Sequence, residues 1–144
     1  MVLVGHPGSG KTSWAKWYYD KYEYISGDVY GTSEKVVKQV SRCLQGGLNA
    51  IVDATNVTRK RRNDIINACL IYRDRLNIRV YAVVFRVDIA TCKLRAKERE
   101  RLASLDPTST LKHIPSIAFN TSASSFEEPS MIEGFTQIFE VFNH

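Results

Sequence analysis

The nine residues from Val4 to Thr12, "VGHPGSGKT", follow only the apolar run "MVL" and lead into "SWAKWYY". They fit the spacing G-x-x-x-x-G-K-[ST], with Gly5, Gly10, Lys11 and Thr12 at the fixed positions. Glycines at 5, 8 and 10 let the backbone turn so that successive N–H groups point inward at an anion. A helix opening near Lys11 adds the positive end of its dipole. The lysine ammonium can reach the outer phosphates of a triphosphate, and the Thr12 hydroxyl can ligate Mg²⁺. With average residue usage the four fixed positions co-occur by accident in roughly one chain of this length in a few hundred. Here they also stand between an apolar strand and a helical pattern, the context such a loop requires. The expected nucleotide site comprises His6, Pro7, Gly8, Ser9, Gly10, Lys11, Thr12 and Ser13.

Working outward, short strand-like runs alternate with helical patterns, which predicts an α/β domain with a mostly parallel sheet. "MVLVG" is an apolar strand, and "KTSWAKWYYDKY" places Trp14, Trp17 and Tyr18, and Ala15, Tyr19 and Tyr22, at helical spacing. "YEYIS" reads as the second strand. Ser33 to Leu44 reads as a helix with a stripe of Val36, Val37, Val40 and Leu44, stopped by Gly46 and Gly47. "NAIVDA" is a third strand, followed by one long helix from about Thr58 to Leu76. "RVYAVVFRV" is a fourth strand, leading into a charged helix from about Asp88 to Ala103. Residues 104–125, rich in Ser, Thr and Pro, read as a loop with some helix, and "TQIFEVF" closes as a last strand. The expected fold is therefore an α/β, P-loop kinase-type parallel sheet of about five strands flanked by helices, with a helical lid. Residues 1–144 read as a single domain, cut from or fused to a larger protein.

The 144 residues are 44% hydrophobic and 24% charged, the balance of an ordinary globular chain with enough length to bury a core. No apolar run approaches the roughly 18 residues of a membrane span, and no membrane partner is expected. Three scattered cysteines, Cys43, Cys69 and Cys92, show no metal-ligand spacing. They point to a reducing, intracellular setting, nuclear or cytoplasmic. The net charge of +5 is uneven: residues 58–101 hold 13 basic and 5 acidic residues, a net of +8, and the remainder carries −3. That asymmetry favours a polyanionic partner, although charge runs are also ordinary solvated helix faces.

No Asn-Lys-x-Asp base-reading motif of a GTPase is present, and the chain is short for a motor ATPase. A compact phosphotransferase remains, with the charged helix and the loop after it acting as a lid that excludes water. Such an enzyme needs a group to take the acceptor's proton. Asp28 stands just past the end of the second strand, where ligand sites of open α/β sheets gather. It reads equally as a turn aspartate in "SGDVYG". Asp53, in "VDATN", can hold a water of the Mg²⁺ shell or position the acceptor, or simply cap the next helix. Arg59, Lys60, Arg61 and Arg62 crowd the first turn of a helix, where the dipole disfavours each by about a few tenths of a kcal/mol. A phosphate-bearing acceptor would compensate them. In "KLRAKERER", Arg99 and after it Arg95 are candidates to neutralise the transferring phosphoryl group. Arg95 with Glu98, and Glu98 with Arg101, can instead pair at i,i+3 on an exposed helix.

Taken together, the glycine-rich loop, Asp28, "VDATN", the charged helix, "HIP" at 113–115 and "FEEPSMIEGF" at 126–135 resemble the 5′-hydroxyl polynucleotide kinases, in the same order and over nearly the whole chain. The tail is most similar to the kinase domain of the eukaryotic polynucleotide kinase 3′-phosphatases. The resemblance implies transfer of the ATP γ-phosphate, with Mg²⁺, to the 5′-hydroxyl end of DNA or RNA, in strand-break or RNA repair. It implies Asp28 as general base, Lys11 and Thr12 as phosphate and Mg²⁺ ligands, and Arg62 as a substrate-phosphate arginine. Lys35 falls where the eukaryotic enzymes carry an arginine for the same purpose. The family's 3′-end-processing phosphatase is absent from these residues and is expected as a fused or partner domain. Two arginines of the family are replaced here, by Gly27 before the aspartate and by Gly31 three residues after it. With those grips missing, Arg59, Lys60 and Arg61 are the candidate substitutes. Two other readings stay open on the residues alone: a kinase for a nucleoside or other small metabolite, and a non-catalytic nucleotide-binding module.

Overall fold

A computed structural model describes residues 1–111 and 113–142. Among them, Val2–Val4 (β1), Glu23–Ser26 (β2), Ala50–Asp53 (β3), Tyr81–Arg86 (β4) and Gln137–Phe142 (β5) form one sheet in the order β2-β3-β1-β4-β5. Every neighbouring pair is parallel. Parallel pairing forces each connection to cross over, so helices cover the sheet and the strands' carboxyl ends share one edge.

Alternation along the strands divides the core. Val2, Val4, Val52, Ala82 and Val84 meet Val36 and Val40 of α3 (Ser33–Gln45) and Ile65, Ile66 and Cys69 of α4 (Arg59–Leu70). Leu3, Ile51, Val83 and Phe85 face the other way, against Ala15, Trp14 and Tyr18. Ala15 and Trp14 belong to α1 (Lys11–Ala15), the helix that opens directly from the glycine-rich loop. A third cluster joins α6 (Ile89–Ser104) to α7 (Ser116–Ser125) through Cys92, Ala96 and Phe119. Asp88 caps α6, its Oδ1 accepting from the Thr91 N–H at 2.8 Å. The expected fold class is the one observed.

The elements differ from expectation in three places. First, α1 gives way to a 3₁₀ turn at Lys16–Tyr18, which changes the phase of the side chains and leaves Trp17 83% exposed. Second, the segment "GDVY" is a short helix, α2 (Gly27–Tyr30), capped by the Ser26 hydroxyl. Third, the long helix expected to Leu76 breaks: the Tyr72 N–H turns back to the Cys69 carbonyl, and a separate turn, α5 (Arg73–Leu76), follows. Tyr72 accepts a hydrogen bond from Gln45 Nε2 of α3, a tertiary contact that local periodicity does not carry. The Ser/Thr-rich stretch is loop with some helix, as expected: its last ten residues form α7, seated by Phe119.

Candidate active site

The glycine-rich loop joins β1 to α1 at the carboxyl edge of the sheet. Gly8 and Gly10 adopt φ of 77° and 94°, the left-handed region that side chains rarely enter. Gly8 has a second constraint, since a Cβ there would lie 2.6 Å from the Cys92 carbonyl oxygen of α6. The Gly5 N–H donates to the Thr55 carbonyl at 3.0 Å, tying the loop to the segment after β3. Lys11 is 7% exposed, and its Nζ donates to the carbonyls of Gly5 (2.9 Å) and His6 (2.8 Å) and to Ser9 Oγ (3.3 Å). Burial lowers its pKa to about 8, with the carboxylates of Asp53 and Asp28 opposing that shift. His6 pairs through Nδ1 with Ser122 Oγ at 2.7 Å, linking the loop to α7, and burial followed by the Lys11 charge lowers its pKa. Ser9 is buried, Pro7 half-buried, and Ser13 exposed at the start of α1.

Beside the loop, Thr12 Oγ1 donates to Asp53 Oδ2 at 2.6 Å. The Tyr24 hydroxyl donates to that same oxygen. Asp53 ends β3 and is 7% exposed; Tyr24 lies on the neighbouring β2, where Ser26 pairs with Asp53. The Tyr24 pKa is raised, first by burial and then by its bond to Asp53. A hydroxyl and a carboxylate adjoining the phosphate loop are hard oxygen donors, the set that suits Mg²⁺. Among the described residues, no cluster of three or more His, Cys, Asp or Glu forms a metal site, so these oxygens together with a nucleotide are the candidate ligands.

Asp28 is exposed in the first turn of α2, near enough for its charge to act on Lys11. The two glycines around it have structural causes. A Cβ on Gly27 would stand 2.7 Å from the Ala54 Cβ, so the approach of β2 to the segment after β3 excludes a side chain there. Gly31 ends α2 at φ 78° with open space around it. Lys35 is exposed in the first turn of α3. On α6, Arg95 is half-buried, with Nη1 3.9 Å from where a Cβ on Gly10 would sit, whereas Arg99 is exposed one turn on. The geometry thus places Arg95, the second of the two candidates, against the loop.

The arginines that open α4 have different fates. Arg62 is 0% exposed and faces the interior. Its Nε and Nη2 donate to Glu133 at 2.8 and 3.2 Å, and its Nη1 to the Asn56 carbonyl at 3.1 Å. The reading of Arg62 as a substrate contact does not fit this arrangement, because its donors are committed to protein acceptors. Arg59 and Arg61 are exposed, and exposed Lys60 pairs with Asp64 at 3.6 Å. Part of the compensation for cations at this helix start comes from within the chain: Glu133 neutralises Arg62, Asp64 pairs with Lys60, and Glu127 accepts from the Arg59 backbone N–H at 3.3 Å.

"FEEPSMIEGF" is the segment that supplies those acids. Glu127 caps α4, Glu128 pairs with Arg86, and Glu133 closes a capping box with Ser130 while holding Arg62. Gly134 at φ 114° ends that turn, and Phe135 enters the core. "HIP" works similarly: Glu100 of α6 accepts from the Ile114 N–H at 3.1 Å and pairs with His113 at 2.8 Å. Sequence reasoning missed Tyr24 and these acidic partners. An acid-rich tail in a chain with misplaced arginines was the available signal for the latter.

Glycine-rich loop, parallel sheet order and hydroxyl–carboxylate pair together define a nucleotide-handling domain with the P-loop kinase fold. A family model described as "AAA domain" matches residues 28–129, so the chain belongs to that family. It is 30% identical over 146 residues to the bifunctional polynucleotide phosphatase/kinase of Schizosaccharomyces pombe, covering 98% of this chain and 33% of that protein. The chain therefore spans about a third of that relative's length. Among solved structures, a chain of the Pnkp1/Rnl/Hen1 RNA repair complex superposes with a TM-score of 0.67 at 21% identity, covering 86% of this chain and 42% of that one. Kti12 of Chaetomium thermophilum, in complex with ADP-AlF3, gives a TM-score of 0.67 at 15% identity over 98% of this chain and 87% of its own. These two likenesses establish the shared fold.

Proposed function

We propose that this domain transfers the γ-phosphate of ATP to the 5′-hydroxyl of a DNA or RNA end. The observation that carries the reading is the meeting of the glycine-rich loop with Asp28 at one edge of the sheet. The similarity to a polynucleotide phosphatase/kinase over nearly the whole chain supports a polynucleotide as acceptor. Exposed Lys35, Arg59 and Arg61 suit its phosphates.

Residues of the loop bind the triphosphate through backbone N–H groups, and Lys11 turns from its carbonyl partners to the β- and γ-phosphates. Thr12 and Asp53 would hold Mg²⁺, which supplies neutralisation of the β- and γ-oxygens. Asp28 accepts the proton of the 5′-hydroxyl as the new O–P bond forms, and the bond to the β-γ bridging oxygen breaks to leave ADP. Arg95 lies where it can offset charge on the phosphoryl group in transit, and α6, the following loop and α7 act as the water-excluding lid. The remainder of a longer protein, where present, would supply 3′-end phosphatase activity.

The test is incubation with γ-labelled ATP and Mg²⁺, offering 5′-hydroxyl DNA, 5′-hydroxyl RNA and free nucleosides. Label is expected on an oligonucleotide, falling about 10²–10⁴-fold in Asp28→Asn with little change in melting temperature, because Asp28 is exposed. Label on nucleosides alone would replace this reading with a small-metabolite kinase. Binding of ATP without transfer to any acceptor would leave a non-catalytic module.

A further inference from the structure

Asp53 Oδ2 accepts two hydroxyl donors at once, Thr12 Oγ1 from α1 and the Tyr24 hydroxyl from β2. The Tyr24 ring is itself fixed, packed against Tyr19 with ring centroids 4.8 Å apart. A carboxylate with one donor swings about its Cβ–Cγ bond. One held from two sides on the same oxygen presents its other oxygen in a single direction. Partners that hold a metal-binding group in this way commonly change metal affinity by about 10–100-fold when removed. Nothing else in the proposed transfer uses Tyr24. We infer that Tyr24 is a positioning residue of the cation site: its hydroxyl orients the Asp53 carboxylate so that Thr12 and Asp53 can together hold the divalent cation of a bound nucleotide. The inference rests on the reading of Thr12 and Asp53 as the cation site, and deepens it.

The experiment follows binding of a fluorescent ATP analogue, independent of any acceptor, in EDTA and across a Mg²⁺ titration. It compares wild type, Tyr24→Phe, Asp53→Asn and the double variant. Phenylalanine keeps the ring and its packing on Tyr19 and removes the hydroxyl alone. In Tyr24→Phe the affinity in EDTA is expected to stay within about twofold, because backbone N–H groups and Lys11 are untouched. The Mg²⁺ concentration for half-maximal tightening is expected to rise about tenfold. In the Asp53→Asn background the same substitution is expected to add nothing, since Tyr24 acts through that carboxylate. An unchanged Mg²⁺ midpoint in Tyr24→Phe, while Asp53→Asn shifts it, overturns the role of Tyr24 and leaves the cation site standing. Equal weakening with and without Mg²⁺, alongside a lower melting temperature, makes Tyr24 a packing residue and also overturns it. An unchanged midpoint in Asp53→Asn removes the cation-site reading, and the role of Tyr24 with it.

Discussion

Lys11 is a cation held among carbonyl oxygens in a site that burial makes unfavourable to charge, and its pKa of about 8 follows from that competition. A bound triphosphate favours the charged form and raises that value again, so binding takes up a proton wherever the free protein has released one. Nucleotide affinity is therefore expected to be flat below about pH 7.5 and to fall toward tenfold per unit as pH rises above 8. Titration calorimetry between pH 7 and 9.5 checks this, and a constant dissociation constant across that range contradicts it. Arg62 poses the opposite case, a buried cation whose charge is matched by Glu133 with Nε 2.8 Å from Oε1. Arg62→Met leaves that carboxylate buried without its partner and is expected to cost about 3–5 kcal/mol in chemical denaturation. Joining it with Glu133→Leu is expected to recover much of the loss. Arg59→Ala, on an exposed side chain, is expected to leave stability within about 0.5 kcal/mol.

At the scale of elements, α6 carries both the lid reading and the site. Its Cys92 carbonyl abuts Gly8, Arg95 stands beside Gly10, and Glu100 holds the "HIP" segment that leads to α7. Arg95→Ala is expected to lower kcat about 10²-fold, and Arg99→Ala to change it less than about threefold, by steady-state transfer assays. Equal effects would mean that the helix shifts by a turn on substrate binding. The helix itself was legible in the sequence because Asp88 caps it and its charges repeat along it. Likewise α3 was legible, because Val36, Val37, Val40 and Leu44 make one stripe. The break before α5 and the short α2 were not legible. The first accompanies a bond from Gln45 to Tyr72, 27 residues away, and the second a side-chain cap on four residues. At the site, the loop was legible as chemistry, since its spacing alone carries it, whereas Asp28 read equally as a turn residue. Arg62 was misread because its counter-charge, Glu133, lies 71 residues downstream. What the tail motif marks in this fold is a clamp on α4 and the segment after β3, which in turn meets the phosphate loop through Thr55.

For the whole molecule, the fold redistributes the sequence's charge asymmetry. Of the basic residues in 58–101, Arg62 is buried against Glu133, Arg86 is paired with Glu128 and Glu140, Lys60 with Asp64, and Arg101 with Glu98. A net of +8 in the sequence thus overstates what a polyanion meets. Lys35, Arg59 and Arg61 are exposed, the first on α3 and the others on α4, two helices packed against each other. An oligonucleotide led from Asp28 across those helix starts would neutralise about three phosphates. The logarithm of its association constant is then expected to fall with the logarithm of salt concentration at a slope of about −2 for a single strand and about −3 for a duplex. Fluorescence anisotropy of a labelled 5′-hydroxyl oligonucleotide between 50 and 200 mM salt measures it. Arg59→Ala and Lys35→Ala should each make the slope shallower by nearly one and weaken binding alike for all sequences. A slope near zero would mean that these cations are solvated surface and that the acceptor is held by other means. A slope beyond about −6 would require further exposed cations, such as Lys97 and Arg99 of α6, to join the contact.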